Sequence, residues 1–333
     1  MTTVRYLSSD DVKGLASPAD FVDAVRSAYR QRGEGAPAKP RTLLTRSDPG
    51  GMFTAYTAIL PESGAMGGYM YSAGFSEADS WFVTPLFDGD SGELRAIIDG
   101  AWLNPFKTGA AGAVAVDALA REDASTVGLI GSGAQAAGQL QTTATVRDLE
   151  HVRVYSATAA NRRDFATEFD GKLDPSVEAV DSAKAAVSGA DIVITATTSE
   201  TPVFDGDDLE AGTHVTAMGQ YHPKRREVDG TTVARSVYVP DLRDRVMQDA
   251  GAYLLALEEG LIEEDHVHAE LGDVIAGAAT GRQSPDDITL FDSGGTGIET
   301  VAAAQLLFER AVKEGVGTEI EWFSGEERLT GRL

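Results

Sequence analysis

Four apolar residues, Val127, Gly128, Leu129 and Ile130, lead straight into Gly131, Ser132 and Gly133, and a segment rich in Ala and Gln continues from Ala134. A short run without polar alternation is what a strand buried on both faces requires. Set against G-x-G-x-x-G/A, the three small positions are Gly131, Gly133 and Ala136. The first permits a tight turn, the second lets backbone approach a pyrophosphate, and the third lets helix and strand pack closely. Free N–H groups at the positive end of the following helix then meet the phosphates. The stretch predicts a dinucleotide site with Gly131, Ser132, Gly133, Ala134 and Gln135 at the pyrophosphate. A tight strand-to-helix turn in some other α/β domain is the alternative.

Downstream of this turn, strand and helix alternate, as a doubly wound sheet demands. Strands are expected at 151–156, 176–180, 190–198, 212–219 and 236–241, with helices at 161–169 and 182–189 between the first of them. The segment 243–283 reads as helical and acidic, and 287–317 as a strand, a glycine-rich turn and a long helix. Thr197, Met218 and Ser293 fall near strand ends or the turn, where a cofactor would lie. Upstream the pattern differs. Residues 8–32 read as a pair of amphipathic helices, the second capped by Ser17 with Pro18 at its first position and stopped by Gly33. A polar loop carrying Lys39 and Arg41 follows, then β-rich runs from 42 to 100 split by Gly, Pro and a hairpin tip at 88–93, then a helix at 104–122. The fold class is therefore α/β: a Rossmann doubly wound parallel sheet plus a second α/β domain with antiparallel strands. The expected division is 1–120 with 301–333 against 121–300, the long C-terminal helix returning to the first domain.

A chain of 333 residues suits two domains, and a hydrophobic content of 42% supports sizeable cores. The net charge of −24 argues against nucleic acid, whose phosphates need a basic surface. Carboxylates spread along the whole chain with scarce lysine suggest a surface adapted to high salt, a halophilic trait. Cysteine is absent, which excludes disulfides and thiolate chemistry. No apolar run reaches the roughly 20 residues of a membrane helix, and the opening residues lack a signal-peptide core, so no membrane role and a cytoplasmic location are expected. His266 and His268 are two apart rather than the four a helix uses to chelate zinc, and no metal is expected.

In NAD-binding folds an acid about 20 residues past the glycines holds the adenine ribose. Here Ser156 and Thr158 occupy that tip, with Arg162 and Arg163 just beyond, and no carboxylate comes before Asp164. Hydroxyls and a guanidinium would hold a 2′-phosphate that an acid would repel, which favours NADP over NAD.

The segments "FKTGAAGAVAVDALARE", "VGLIGSGAQA", "MGQYHPKRREVD", "AELGDVIAG" and "LFDSGGTGIET" together resemble the ornithine cyclodeaminase/mu-crystallin family over nearly the whole chain. The resemblance implies a homodimer, a Rossmann domain flanked by a substrate-binding and dimerisation domain, and hydride transfer between a nicotinamide and a carbon bearing an amine or imine. It implies that Arg41 binds a substrate carboxylate, with a bidentate fork suited to the task. The family's Arg-Thr pair stands here as Lys107 and Thr108, the lysine keeping the charge and the threonine reaching the cofactor phosphates. The family lysine in G-x-K falls on Met70, and the family aspartate of G-x-D-x-P-G-K-x-E falls on Tyr221. Tyr69, Tyr71, Tyr221 and His222 are then the candidate proton donors or substrate contacts. The expected function is an NAD(P)-dependent oxidoreductase on a small carboxylate-bearing amino acid, imine or oxo acid, of ketimine reductase or alanine dehydrogenase type. The alternatives are a non-catalytic cofactor-dependent ligand-binding protein, as mu-crystallin can be, or a true ornithine cyclodeaminase or alanine dehydrogenase.

Overall fold

The structure is a computed structural model and describes residues 2–48, 50–75 and 80–323. In chain order its elements begin with β1 (Thr2–Leu7), α1 (Ser9–Val12), α2 (Pro18–Gly33), β2 (Thr42–Ser47) and β3 (Gly50–Leu60). Next come β4 (Ala65–Ala73), β5 (Ser80–Asp88), β6 (Leu94–Asp99) and α3 (Gly100–Leu119). The central part holds β7 (Thr126–Ile130), α4 (Ala134–Thr143), β8 (His151–Tyr155), α5 (Ala159–Phe169), β9 (Ser176–Ala179), α6 (Ala183–Val187) and β10 (Ile192–Thr195). It continues through β11 (His214–Ala217), α7 (Gly230–Arg235), β12 (Ser236–Pro240), α8 (Arg243–Asp249), α9 (Gly251–Glu258), α10 (Leu271–Ile275) and β13 (Ile288–Asp292). The chain closes with α11 (Gly297–Glu314) and β14 (Thr318–Trp322).

Two compact units result, 1–107 with 296–333 and 108–295. The division falls inside α3 and just before α11, not at 120 and 300. Close packing explains the first shift. A Cβ at Gly109 would run into the Gly138 backbone and one at Gly112 into the Gln139 side chain, so the later part of α3 is pressed onto α4.

The first unit is one seven-stranded sheet in the order β14-β1-β6-β5-β4-β3-β2. All neighbours are antiparallel except β1 and β6. The sequence reading did not foresee β1 or β14, and it named no separate strand for β2 at the start of the β-rich stretch 42–100. All six side chains of β2 are exposed, so an edge strand with no buried face left no alternation to read. On the inner face α11 packs against α2, β3, β4 and β5. Its N-terminus is closed by a capping box between Thr296 and Glu299, and Gly315 ends it in the left-handed conformation at φ 70°.

The second unit is a seven-stranded sheet in the order β12-β13-β11-β10-β7-β8-β9, parallel throughout. Along β10, Ile192 and Ile194 enter one core layer and Val193 the other, which is why these strands read as continuous apolar runs. The chain runs outward from β7 through β8 to β9 and then crosses back to β10 on the other side of β7. The crevice beyond the carboxyl ends of β7 and β10 is the switch point where sheets of this kind bind ligands.

Candidate functional site

In the second unit the glycine turn has the geometry a phosphate cradle needs. Gly131 takes φ 129°, a conformation that favours glycine, and a Cβ there would strike the Ala196 carbonyl oxygen. Gly133 is the N-cap of α4, with no side chain capping the helix and open space where its Cβ would stand. The first N–H groups of α4 therefore have room for an anion. Gln135, in the first turn, carries a buried side-chain oxygen with no hydrogen-bond partner among the described residues. Gln139 donates to the Thr108 carbonyl at 3.1 Å, which fixes the start of this unit's share of α3 beside α4. The residues present fit a dinucleotide: Gly131, Ser132, Gly133, Ala134 and Gln135 surround one turn.

At the tip of β8, the Ser132 hydroxyl donates to the Ser156 hydroxyl at 3.0 Å, joining the two loops that would flank a dinucleotide's adenosine. Ser156 in turn donates to the Thr158 carbonyl at 3.3 Å. Arg162 does not stand free beside them. Its guanidinium donates to the Ser156 carbonyl at 3.0 Å and to Asp181 at 2.9 Å, lies 5.5 Å from the Tyr155 ring centre, and is buried. Arg162 props the loop from beneath, whereas Arg163 is exposed.

Further along the strand ends, Met218 N–H donates to the Thr195 carbonyl at 3.1 Å and Ser293 N–H to the Ala217 carbonyl at 2.9 Å. Thr197 is held by Glu227, whose carboxylate also takes Thr195 and Gly219. Burial pushes the Glu227 carboxyl above the usual carboxylate range, against the pull of these donors. Beyond β12 and β13, Arg245 is buried among Asp241 at 2.7 Å, Asp249 at 2.9 Å and Asp292. Burial opposes its charge, but Asp241, Asp292 and Asp249 together hold its pKa well above the usual arginine range. Asp241 also accepts from the Gly294 and Gly295 N–H groups, both at 2.8 Å, and so anchors the loop that bears Ser293. Sequence reasoning missed this charge cluster, whose members are spread from 241 to 292. Tyr221 and His222 lie on the loop after β11, half-buried and exposed respectively, and the His222 ring accepts from the Lys224 N–H at 3.1 Å.

The first unit carries a different polar centre. Arg41 and Lys107 are only 4% and 1% exposed. Arg41 donates to the Tyr71 hydroxyl at 3.3 Å and its guanidinium carbon lies 5.4 Å from the centre of the Tyr56 ring. Lys107 Nζ lies 5.1 Å and 5.8 Å from the ring centres of Tyr69 and Tyr56, and 3.6 Å from Glu299. Tyr69 stacks on Phe82 at 5.4 Å and donates to the Gly100 carbonyl at 3.3 Å. Burial drives the Tyr56 phenol well above its usual pKa, so it keeps its proton. Thr54 and Thr84, on strands facing the same way, bury hydroxyls that have no partner among the described residues. Tyr56, Phe82 and Glu299 were not foreseen; the Thr296-to-Glu299 spacing signals a helix cap but not the lysine beside it.

Met70 is not part of this cluster. Side chains alternate along β4, so Tyr69 and Tyr71 face Arg41 while Met70 points out of the other face. There it helps line a cavity of about 540 Å³ with Lys39, Ile59, Pro85 and Phe87. The β4 side chains that face Arg41 are the tyrosines Tyr69 and Tyr71.

Residues 4–315 match the sequence pattern of the Ornithine cyclodeaminase/mu-crystallin family. Delta(1)-pyrroline-2-carboxylate reductase of Bacillus cereus is 35% identical over 241 residues, 72% of this chain and 74% of the relative. The structure of Thermococcus litoralis Delta(1)-pyrroline-2-carboxylate reductase in complex with NADH and L-proline matches with a TM-score of 0.91 at 33% identity, covering 95% of this chain and 100% of that one. An archaeal alanine dehydrogenase dimer with bound NAD matches at 0.90 and 29% identity, covering 97% of this chain and 100% of that one.

Proposed function

The chain belongs to the ornithine cyclodeaminase/mu-crystallin family, and from that premise we propose that it is a nicotinamide-dependent oxidoreductase of small carboxylate-bearing substrates, interconverting an amine with its imine or oxo acid. The observation that carries this reading is the pair of buried cations, Arg41 and Lys107, set against tyrosine faces and Glu299. Two cations kept dry beside aromatic rings suit a small organic anion, because low local dielectric strengthens each charge-assisted hydrogen bond. Arg41 takes the carboxylate, and Lys107 presents N–H groups to the substrate's carboxylate or nitrogen. Tyr69, whose hydroxyl points at the Gly100 carbonyl, orients Lys107 through its ring. Thr54 and Thr84 supply hydroxyls for a bound polar group.

The cofactor is held by the turn 131–135, with Thr108, Thr197, Met218 and Ser293 around it. When bound, the nicotinamide supplies or accepts the hydride. Ser156 and Thr158 in place of an acid favour NADP over NAD. Tyr221 and His222 are the second unit's candidate contacts to substrate.

The protein also works as a homodimer, as an archaeal relative does. The outer face of the first unit's sheet supports this, since Leu44, Phe53, Met70, Trp81 and Val83 are exposed there or at its edge. High acidity marks adaptation to salt, so stability rises with added potassium chloride. We place the protein in the cytoplasm.

The deciding assay follows NADPH consumption with Δ1-pyrroline-2-carboxylate, with pyruvate plus ammonia, and in reverse with L-proline and L-alanine. Turnover of any of these with a KM raised by Arg41→Ala supports the proposal. Tight cofactor binding with no turnover across the set favours a ligand-binding protein instead, and ammonia release from ornithine a cyclodeaminase.

A further inference from the structure

Glu227 follows the loop after β11, and its side chain is 2% exposed. The loops after β10 and β11 both end on its carboxylate. Oε1 accepts from the Thr197 backbone N–H at 2.7 Å and from the Thr197 hydroxyl at 2.6 Å. Oε2 accepts from the Thr195 hydroxyl at 3.0 Å and from the Gly219 backbone N–H. Each oxygen thus serves one backbone N–H, a donor that cannot turn round and accept. An amide in place of the carboxylate must set its NH₂ against one of those two N–H groups, whichever way it is flipped. Gly219 tightens the arrangement, because a Cβ there would run into both the Thr197 carbonyl oxygen and the Glu227 carboxylate.

Position gives this buckle its meaning. The β7 turn takes the pyrophosphate and the β8 tip the adenosine ribose, so the β10 and β11 ends, on the other side of the switch point, are left to the nicotinamide half. We propose that Glu227 is a positioning residue that ties these two loops into one rigid wall for the nicotinamide ring, touching neither cofactor nor substrate. The inference rests on the dinucleotide reading of the second unit.

The test compares binding of NADPH and NADH with binding of ADP-ribose and its 2′-phosphate, which lack the nicotinamide ring, by calorimetry on the full chain. Glu227→Gln is expected to weaken both complete dinucleotides about ten-fold or more while leaving the two fragments within about two-fold. Thr195→Val, which removes one rotatable donor and keeps the shape, is expected to show the same selectivity at about two- to five-fold, and carries the test if the glutamine variant does not fold. Hydrogen exchange should quicken at the Thr197 or Gly219 amide while Val193 and Val215, inside the strands, stay protected. A wild-type protein that binds none of the four ligands overturns the dinucleotide reading itself, and the wall with it. A wild-type protein that binds them, with variants that lose fragments and dinucleotides equally or lose neither, overturns the positioning role alone.

Discussion

The proposed phosphate cradle of the second unit comes from one continuous stretch, 131–135, and would act through backbone N–H groups and the absence of side chains. The cation cluster of the first unit comes from β3, β4, β5, α3, α11 and the loop before β2, and acts through side chains. A site made of backbone is fixed by local geometry, so its failure modes are steric. A site made of side chains depends on strand register and burial, so its failure modes are electrostatic. A substitution in either should damage one kind of site and spare the other.

The largest effect is expected in the first unit. Arg41→Ala should lower kcat/KM by about 10² to 10³, the consequence of losing a buried charge partner worth about 3–4 kcal/mol. Cofactor affinity should not change, and calorimetry with NADPH checks that. If both fall together, the two centres are not separable in the way described. Next is Gly131→Ala. Its positive φ and the Ala196 carbonyl leave no room for a methyl group, so a strain of about 1–3 kcal/mol should appear as weaker cofactor binding and a lowered Tm. Substrate-analogue binding to the first unit, followed by tyrosine fluorescence, should survive.

Ser156→Asp should move the NADPH-to-NADH preference about ten-fold toward NADH, since a carboxylate repels a 2′-phosphate and accepts from ribose hydroxyls. Competitive kinetics with both cofactors reads it directly. No shift would mean that Arg163 and Thr158 carry the choice without Ser156.

The last effect concerns stability. His214 is buried between Thr289 and Thr216, and burial lowers its pKa to about 3. The unfolded chain binds a proton near pH 6.5 where the folded one does not, so stability is full above that pH and falls as pH drops toward 3. The slope is at most about 1.4 kcal/mol per pH unit. His214→Asn should start less stable at pH 7 yet show a flatter urea midpoint between pH 6.5 and 4.5. An unchanged slope would mean that His214 charges inside the folded protein.

This contrast also explains what could be read from sequence. The strands β7 and β10–β13 were legible because burial on both faces leaves an apolar run, β8 because buried Val152 and Val154 alternate with Arg153, and Gly131 because the positive φ of its turn demands glycine locally. The β1 strand was not, since its partners lie at 94–99 and 318–322 and nothing in TTVRYL announces them. Met70 was read as standing at the family lysine's position, but in a strand one residue changes the face, and Met70 faces away from Arg41. Arg162 reads in sequence as a guanidinium just beyond Ser156 and Thr158, but its ties to the Ser156 carbonyl and to Asp181, on the segment after β9, needed the sheet to be seen. Glu299 stands three residues after Thr296, a capping-box spacing that says nothing of the Lys107 beside it.

The first unit is interrupted in sequence by the whole of 108–295. On a ribosome this means that the second unit can be complete while the first is still waiting for α11 to cover the inner face of its sheet and for β14 to seal the β1 edge. At about 5–20 residues per second that wait is on the order of ten seconds or longer, with bare strands held open throughout. Nascent chains halted short of residue 296 should therefore be the ones that chaperones hold.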